Sequence, residues 1–191
     1  LFFPSGYKRA IKYGQSDSAN EILRTEALNR LQEKNKALII VTYPEALAEK
    51  VVKADLLNQK TLRLKKNEYI ESTVVADTLF EYGFERVDYV YEPGQYAVRG
   101  SILDVYSFSN ELPYRIDFFG DEIESIRTFD IETQLSNEQL DNISIIPNMS
   151  ENGIFGESLP EFIDESVIWA FHDFTFSVNK IEAITNGAIS P

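Results

Sequence analysis

The stretch that decides the fold is YRIDFFGDEIESIRTF, residues 114–129. Apolar and polar residues alternate on both sides of Gly120-Asp121, a pair that is typical of a tight turn between two strands. The pattern predicts an antiparallel hairpin with strands over 114–119 and 122–129. We interpret the acidic residues after the turn as the solvent face of an alternating strand, and not as paired catalytic carboxylates.

Upstream of this hairpin the chain alternates between strand and turn signals. Further strands are predicted at 61–65, 87–92, 95–99 and 101–108. The Pro93-Gly94 pair predicts a turn that joins 87–92 and 95–99 as antiparallel strands. An amphipathic helix is predicted over 71–82, and Gly83 suits the left-handed residue that would end it. Short connections between successive strands favour a meander, so an α+β domain with an antiparallel sheet is predicted at 61–147.

The flanking segments have a different pattern, in which helices surround an apolar strand. Residues 17–34 predict a helix, and Pro44 is expected to open a second helix that runs to about residue 52. Between them, 37–42 is an apolar run without polar alternation, which is typical of a strand buried on both faces of a parallel sheet. The apolar run 166–171 is a candidate strand of the same sheet. The sequence therefore predicts an α/β unit, and the middle domain is an insertion if 148–191 returns to it.

The net charge of −13 is unevenly distributed. It is +3 over 1–60, −10 over 61–147 and −6 over 148–191. Because non-specific nucleic-acid binding requires cations against phosphates, most of the chain is not expected to bind DNA. The basic stretch 7–13 interleaves cations with tyrosines, which suits single-stranded nucleic acid, but an exposed segment of a larger protein is the favoured interpretation.

The residues that most enzymes and metal sites need are absent or isolated. The chain has no cysteine, no G-x-x-x-x-G-K-[ST] loop for phosphates, and a single histidine, His172, without a catalytic or metal-binding partner in its pattern. We expect no catalysis, no cofactor and no metal in this chain. The lack of cysteine fits a reducing cytoplasm, and no apolar run reaches the ~18–20 residues of a membrane span. The first residue is Leu1 and not Met, so we expect a piece of a longer protein.

Two arginines stand out in the acidic middle domain, which holds seven basic residues against 17 acidic ones. Arg86 and Arg99 bracket the Pro93-Gly94 turn, so an antiparallel hairpin would bring them to one rim. There they could donate bidentate hydrogen bonds to a partner carboxylate. The alternative is that each arginine pairs within the chain, with an acidic neighbour such as Glu85, Asp88 or Glu92.

Four stretches of the middle domain carry a resemblance to a known family. They cover 84–88, 96–105, 112–119 and 121–130. They resemble the domain shared by the excision-repair protein UvrB and the transcription-repair coupling factors. The sequences GQYAVRG at 94–100 and ELPYR at 111–115 are more similar to the coupling factors than to UvrB.

The resemblance implies a partial RecA-like unit with an inserted α+β domain. Residues 1–60 would end UvrB-like domain 1a, residues 61–147 would form domain 2, and residues 148–191 would begin domain 1b. In this family domain 2 binds UvrA, and Arg86 and Arg99 match two arginines of the UvrB surface, whereas Ala97 stands at a third. UvrB also has an aromatic hairpin that clamps DNA, and the short segment 4–20 is expected to lack it.

The function implied is recruitment of UvrA to stalled RNA polymerase in nucleotide excision repair. The alternative is a fragment of a UvrB-type helicase subunit. The whole coupling factor would be an ATP-dependent DNA translocase that uses ATP and Mg²⁺ and contacts RNA polymerase and DNA through other regions. Its C-terminal domain is expected to mask the UvrA-binding surface until the motor engages, and the protein is expected in the cytoplasm.

Overall fold

A computed structural model describes residues 1–6, 18–32, 37–149, 155–163 and 167–186. Its helices are α1 Ser18–Leu31, α2 Pro44–Ala48, α3 Ala54–Gln59, α4 Ser72–Glu81, α5 Leu159–Phe162 and α6 Phe174–Thr185. Its strands are β1 Lys50–Val52, β2 Leu62–Lys65, β3 Glu85–Arg86, β4 Gln95–Arg99, β5 Ile102–Val105, β6 Tyr114–Phe119, β7 Glu122–Phe129, β8 Ser136–Leu140, β9 Asn142–Ile145 and β10 Phe155–Ser158.

The chain divides into two compact units, one formed by 1–57 with 149–191 and the other by 58–148. The second unit thus lies, in the sequence, between two segments of the first. Mixed helices and strands with antiparallel sheets confirm the coarse fold prediction. The partial RecA-like unit, and the assignment of 1–60, 61–147 and 148–191 to domains 1a, 2 and 1b, stay predictions.

The second unit is built on a six-stranded sheet in the order β3-β4-β5-β6-β7-β8. From β4 to β8 each strand pairs antiparallel with the next, which confirms the predicted meander. The hairpin strands β6 and β7 have the predicted bounds, because their period of two is a strong local signal. Strands β8 and β9 were not predicted, since their sequence is mostly polar.

One face of this sheet packs on the main core of the unit. The core contains Val75 and Leu79 of α4, together with residues of the β2–β9 ladder and of the sheet. Helix α4 ends as predicted: Gly83 has φ +83° and donates to the Phe80 carbonyl. The Phe84 amide donates to the Leu79 carbonyl, and both side chains lie in the core. This pairing is a Schellman motif with its hydrophobic contact, and it directs the chain from the helix into β3.

The first unit brings its two sequence segments together in a short ladder. Strand β1 pairs antiparallel with β10. A buried ion pair joins Arg24 of α1 to Glu49 at 3.0 Å, and the Arg24 guanidinium lies 4.3 Å from the ring centroid of Phe3. These contacts tie residues 1–6 to α1 and to the end of α2.

The prediction of a strand buried on both faces over 37–42 is wrong. Among the described residues this segment forms one bridge, between Val41 and Phe2, and Ile39 is 82% exposed. An apolar run becomes a buried strand only where neighbours cover both of its faces, and the described chain supplies one short neighbour. The predicted strand at 166–171 is also absent, because the described residues 167–171 have no ladder partner.

Other predicted bounds shift because tertiary contacts decide where an element stops. The helix opened by Pro44 ends at Ala48, since the next residues pair with β10. The helix predicted over 17–34 covers Ser18–Leu31. Gln32 is a turn residue, and positions 17, 33 and 34 fall outside the described residues. The basic stretch 7–13 and most of segment 4–20 also lie outside them.

Candidate protein-docking surface

The face of the six-stranded sheet opposite α4 carries a row of charged residues; we call it the polar face. The strand registers align Ala97, Asp104, Arg115, Arg127 and Gln139 across β4 to β8. Arg115 and Arg127 lie directly opposite each other, a placement that is unfavourable for like charges. Each has its own carboxylate: Arg115 pairs with Asp104 at 2.8 Å, and Arg127 with Asp117 at 3.6 Å.

Asp104 is the buried centre of this face, with its side chain 1% exposed. Arg115 binds it in a bidentate manner, through Nε to Oδ1 at 2.8 Å and through Nη2 to Oδ2 at 2.9 Å. Arg99 donates from Nη2 to the same Oδ2. Hydrogen bonding to Asp104 raises the pKa of Arg115, and burial opposes that rise. One buried carboxylate therefore holds two guanidinium groups.

Arg115 is further fixed from the side of β7 and β8. Its Nη1 donates to the Gln134 carbonyl at 3.0 Å, and its guanidinium lies 4.4 Å from the ring centroid of Phe129. The Asp130 carboxylate in turn accepts from the Thr133 amide at 2.8 Å and shapes the turn that carries Gln134. Arg115 is the more buried of the two arginines that bind Asp104, with its side chain 13% exposed. Its role is thus structural.

Arg99 is the more exposed of the two arginines that bind Asp104, and its side chain is 35% exposed. Besides its bond to Asp104, its Nη1 donates to the Asp88 carbonyl at 2.9 Å. A guanidinium has five N–H donors, so these two bonds leave three for another molecule. Arg99 is therefore held in one orientation while it keeps donors at the surface.

The structure corrects the hairpin that was predicted around Pro93-Gly94. Strand β3 pairs with β4 in parallel, with Arg86 opposite Tyr96. Residues 87–92 form no strand, and Gly94 has φ +88° with Phe108 so close that a Cβ would lie 3.0 Å from its ring. The connection therefore runs as a compact loop, because Gly94 can adopt a backbone that lets the chain return in the same direction.

The corrected register separates the two candidate arginines. Tyr96 packs in the core on the α4 side of the sheet, whereas Arg99 lies on the polar face. Because alternate residues project to opposite faces, the position of Arg86 opposite Tyr96 belongs to the α4 side. Arg99 lies three residue steps along the strand from Tyr96, roughly 10 Å at ~3.3 Å for each step. The two arginines do not share one rim.

Arg86 itself is exposed at the edge of the sheet. Within the part of the chain that the structure describes, its side chain has no hydrogen bond or ion pair. The alternative, in which each arginine pairs with an acidic neighbour such as Glu85, Asp88 or Glu92, therefore fails for Arg86. Arg99 does pair with a carboxylate of the chain, but that carboxylate is Asp104 and not a neighbour in the loop. Asp104 was missed, although a carboxylate within the apolar run Ile102–Val105 is a signal of a buried charge that requires partners.

Other kinds of site find little support in the described ranges. No group of three acidic or histidine side chains there could hold a metal ion. None of the helices described is long and apolar enough to cross a bilayer. His172 is exposed and next to Asp173, whose carboxylate caps α6 by accepting from the Phe176 amide at 2.8 Å.

Comparison with known proteins finds a family that is similar to the second unit. Residues 62–150 match the family described as the UvrB interaction domain. We call residues 62–150 the matched domain. It contains the six-stranded sheet, α4 and both candidate arginines.

Curated relatives match a longer part of the chain. The transcription-repair-coupling factor of Escherichia coli strain K12 is 35% identical over 124 residues, which cover 65% of this chain and 11% of that protein. Its counterpart in Bacillus subtilis strain 168 is 34% identical over 124 residues, or 65% and 10%. That of Myxococcus xanthus is 30% identical over 131 residues, or 69% and 11%. The chain thus spans about a tenth of the length of these relatives.

Proposed function

We propose that this chain is a protein-docking segment of a transcription-repair coupling factor, and that its matched domain recruits UvrA. The observation that carries the proposal is the family match over 62–150, joined by relatives that bear the coupling-factor name. On this proposal the chain docks a partner and does not catalyse. RNA polymerase, DNA, ATP and Mg²⁺ would be handled by other regions of the whole protein.

The geometry of Arg99 supports docking to an acidic surface. Its orientation is set before any partner arrives, so binding would lose little side-chain freedom, which is one of the main costs of association. Three donors remain on its guanidinium, and a carboxylate is the group that a guanidinium edge fits best. The middle domain carries a net charge of −10 with both arginines counted, so an acidic partner would be repelled by most of the domain and attracted only near its few cations.

Arg86 supports the same proposal from a separate position. It is an exposed cation without an intramolecular partner in the described chain, at the edge strand β3. A partner that contacts both arginines would have to reach around this edge. The two contacts would then be independent, because sites more than ~7–10 Å apart without shared partners usually contribute additively.

A UvrB-type helicase subunit is not proposed. The relatives that match the chain at 30–35% identity carry the coupling-factor name, and the alternative gains nothing from them. An experiment can also distinguish the two functions, since the coupling factor would dock UvrA without clamping DNA.

The test is titration calorimetry of the chain with purified UvrA, run beside thermal melts. We expect Arg86→Ala and Arg99→Ala each to weaken binding by about 2–5 kcal/mol, because a partner carboxylate would stay desolvated and unpaired. That range corresponds to a loss of about thirty-fold to a few thousand-fold in affinity. The matched control is Arg63→Ala, which removes an exposed arginine of β2 whose Nη2 donates to the Asn58 Oδ1 at 2.9 Å.

Two further variants sharpen this test. Arg99→Lys keeps the charge but loses the planar fork, so a large loss would indicate bidentate recognition. The double variant of Arg86 and Arg99 should show the sum of the two losses in free energy. Parent-like affinity in both alanine variants, with parent-like melting, would refute UvrA docking through these residues.

A further inference from the structure

Tyr89 is an exposed aromatic residue beside Arg99. It lies in the loop between β3 and β4 and is 53% exposed. The guanidinium carbon of Arg99 is 4.9 Å from the centroid of its ring. This distance is within the ~6 Å at which a cation over an aromatic face is attracted by the ring quadrupole.

Packing in the small hydrophobic cluster near Tyr89 does not explain the position of this side chain. The cluster beneath the loop consists of Val90, Ala97, Tyr106 and Phe129, with Val87 and Ile131 packed against it. Tyr89 is not among these residues, and about half of its surface faces solvent. Removing its ring should therefore leave the packing of the domain unchanged.

Three groups surround the guanidinium of Arg99. The Asp104 carboxylate and the Asp88 carbonyl each accept one of its hydrogen bonds, and its guanidinium carbon lies over the Tyr89 ring. The hydrogen bonds and the ring therefore restrain the guanidinium together. The side chains of Arg99 and Tyr89 are both partly exposed, so a partner could contact them at the same place.

We propose that Tyr89 and Arg99 act as one recognition unit for a carboxylate on the docking partner, with Tyr89 as the positioning residue of Arg99. This inference rests on the proposed function and deepens it, since it identifies a second side chain that determines affinity. Tyrosine and arginine are the residue types enriched among the few that dominate interface energies, because each combines apolar contact area with directed hydrogen bonds. A partner with a basic or purely apolar surface would gain nothing from this unit.

The test is titration calorimetry of the full chain with purified UvrA, using Tyr89→Ala, Tyr89→Phe, Arg99→Ala and the double variant Tyr89→Ala/Arg99→Ala. We expect Tyr89→Ala to weaken binding about ten-fold, which corresponds to ~1.4 kcal/mol, and Tyr89→Phe to bind like the parent because the ring remains. The double variant should bind like Arg99→Ala alone, because the ring acts through the guanidinium. The matched control is Phe80→Ala, an exposed aromatic residue of α4, 72% exposed, on the other side of the sheet.

Different failures have different meanings in this experiment. If Arg99→Ala weakens binding while Tyr89→Ala binds like the parent, the Tyr89 proposal is overturned and UvrA docking stands. If the losses of the two single variants multiply in the double variant, Tyr89 does not act through Arg99 and the proposal is equally overturned. If neither Arg86→Ala nor Arg99→Ala affects binding, docking through these two arginines is refuted, and this inference fails with it. If the parent chain itself does not bind UvrA, the proposed function fails.

Thermal melts separate positioning from folding. Tyr89→Ala should melt like the parent, since the ring lies outside the core clusters. Should the alanine variant prove unstable, Tyr89→Leu keeps an apolar side chain but has no aromatic face. A leucine variant that melts and binds like the parent would overturn the proposal, whereas one that melts like the parent and binds about ten-fold more weakly would support it.

Discussion

Replacement of Asp104 by Asn should destabilise the matched domain strongly. Asn has nearly the same shape, but it removes the negative charge that two guanidinium groups share. Its amide nitrogen is a donor, so it would face arginine donors in place of one carboxylate oxygen. Arg115, whose side chain is 13% exposed, would then be a buried cation without its carboxylate.

The magnitude follows from the burial of each partner. Breaking a buried ion pair by removing one member usually costs about 3–5 kcal/mol. Arg99 is about one-third exposed and well solvated, so its share is small, and the loss comes mainly from Arg115. We therefore expect a loss of roughly 3–4 kcal/mol in the free energy of unfolding. For a domain of this size that lowers the melting temperature by roughly 12–30 °C.

The assay has to report on the unit that contains the sheet. The one tryptophan of the chain is Trp169, which belongs to the other unit, so its fluorescence is unsuitable. Differential scanning calorimetry, with amide hydrogen exchange in β5 and β6, measures the unfolding of the sheet itself. The matched control on the same face is Asp117→Asn. Its pair with Arg127 spans 3.6 Å with both side chains about a quarter exposed, and its loss should stay below ~1 kcal/mol.

One outcome would contradict the reasoning directly. If Asp104→Asn and Asp117→Asn melt within a few degrees of each other, the buried carboxylate does not hold the polar face together. Unchanged hydrogen exchange in β5 and β6 would lead to the same conclusion.

Two further predictions concern a buried hydroxyl and a turn carboxylate of the same unit. Ser107→Ala should lower the free energy of unfolding by about 1–3 kcal/mol in chemical denaturation, because the buried hydroxyl accepts from the amides of Ser109 and Ile146 and both would lose their partner. The pKa of Asp130 lies below its ordinary value of 3.8, chiefly because the Thr133 amide donates to its carboxylate. A lowered carboxyl pKa stabilises the folded state above the ordinary value, and this contribution is lost as the pH falls through the folded value. In an NMR titration, Asp130 should therefore titrate below 3.8 and the Thr133 amide should lose its hydrogen bond in the same step, whereas a titration at or above 3.8 would exclude the turn bond.

Local pattern was enough for the elements whose signals are carried by neighbouring residues. The alternation on both sides of Gly120-Asp121 predicted β6 and β7 to the residue. The apolar stripe predicted for α4 comprises Val74, Val75, Leu79 and Tyr82. Val75 and Leu79 are buried as predicted, whereas Val74 is 48% exposed and Tyr82 is half-buried. Gly83 was predicted to end that helix because its left-handed backbone is a local requirement. Arg99 could be singled out by sequence because cations are scarce around it.

Tertiary structure decided what residues far apart in the chain do to each other. The parallel pairing of β3 with β4 separates Arg86 from Arg99, although the turn signal between them had predicted an antiparallel hairpin. The bidentate contact between Asp104 and Arg115 depends on the register of β5 with β6, which no local pattern contains. The apolar run 37–42 is exposed because burial requires neighbours that only the folded chain can supply. Periodicity determines which face of an element is apolar, whereas the pairing of distant strands determines which charges meet on the other face.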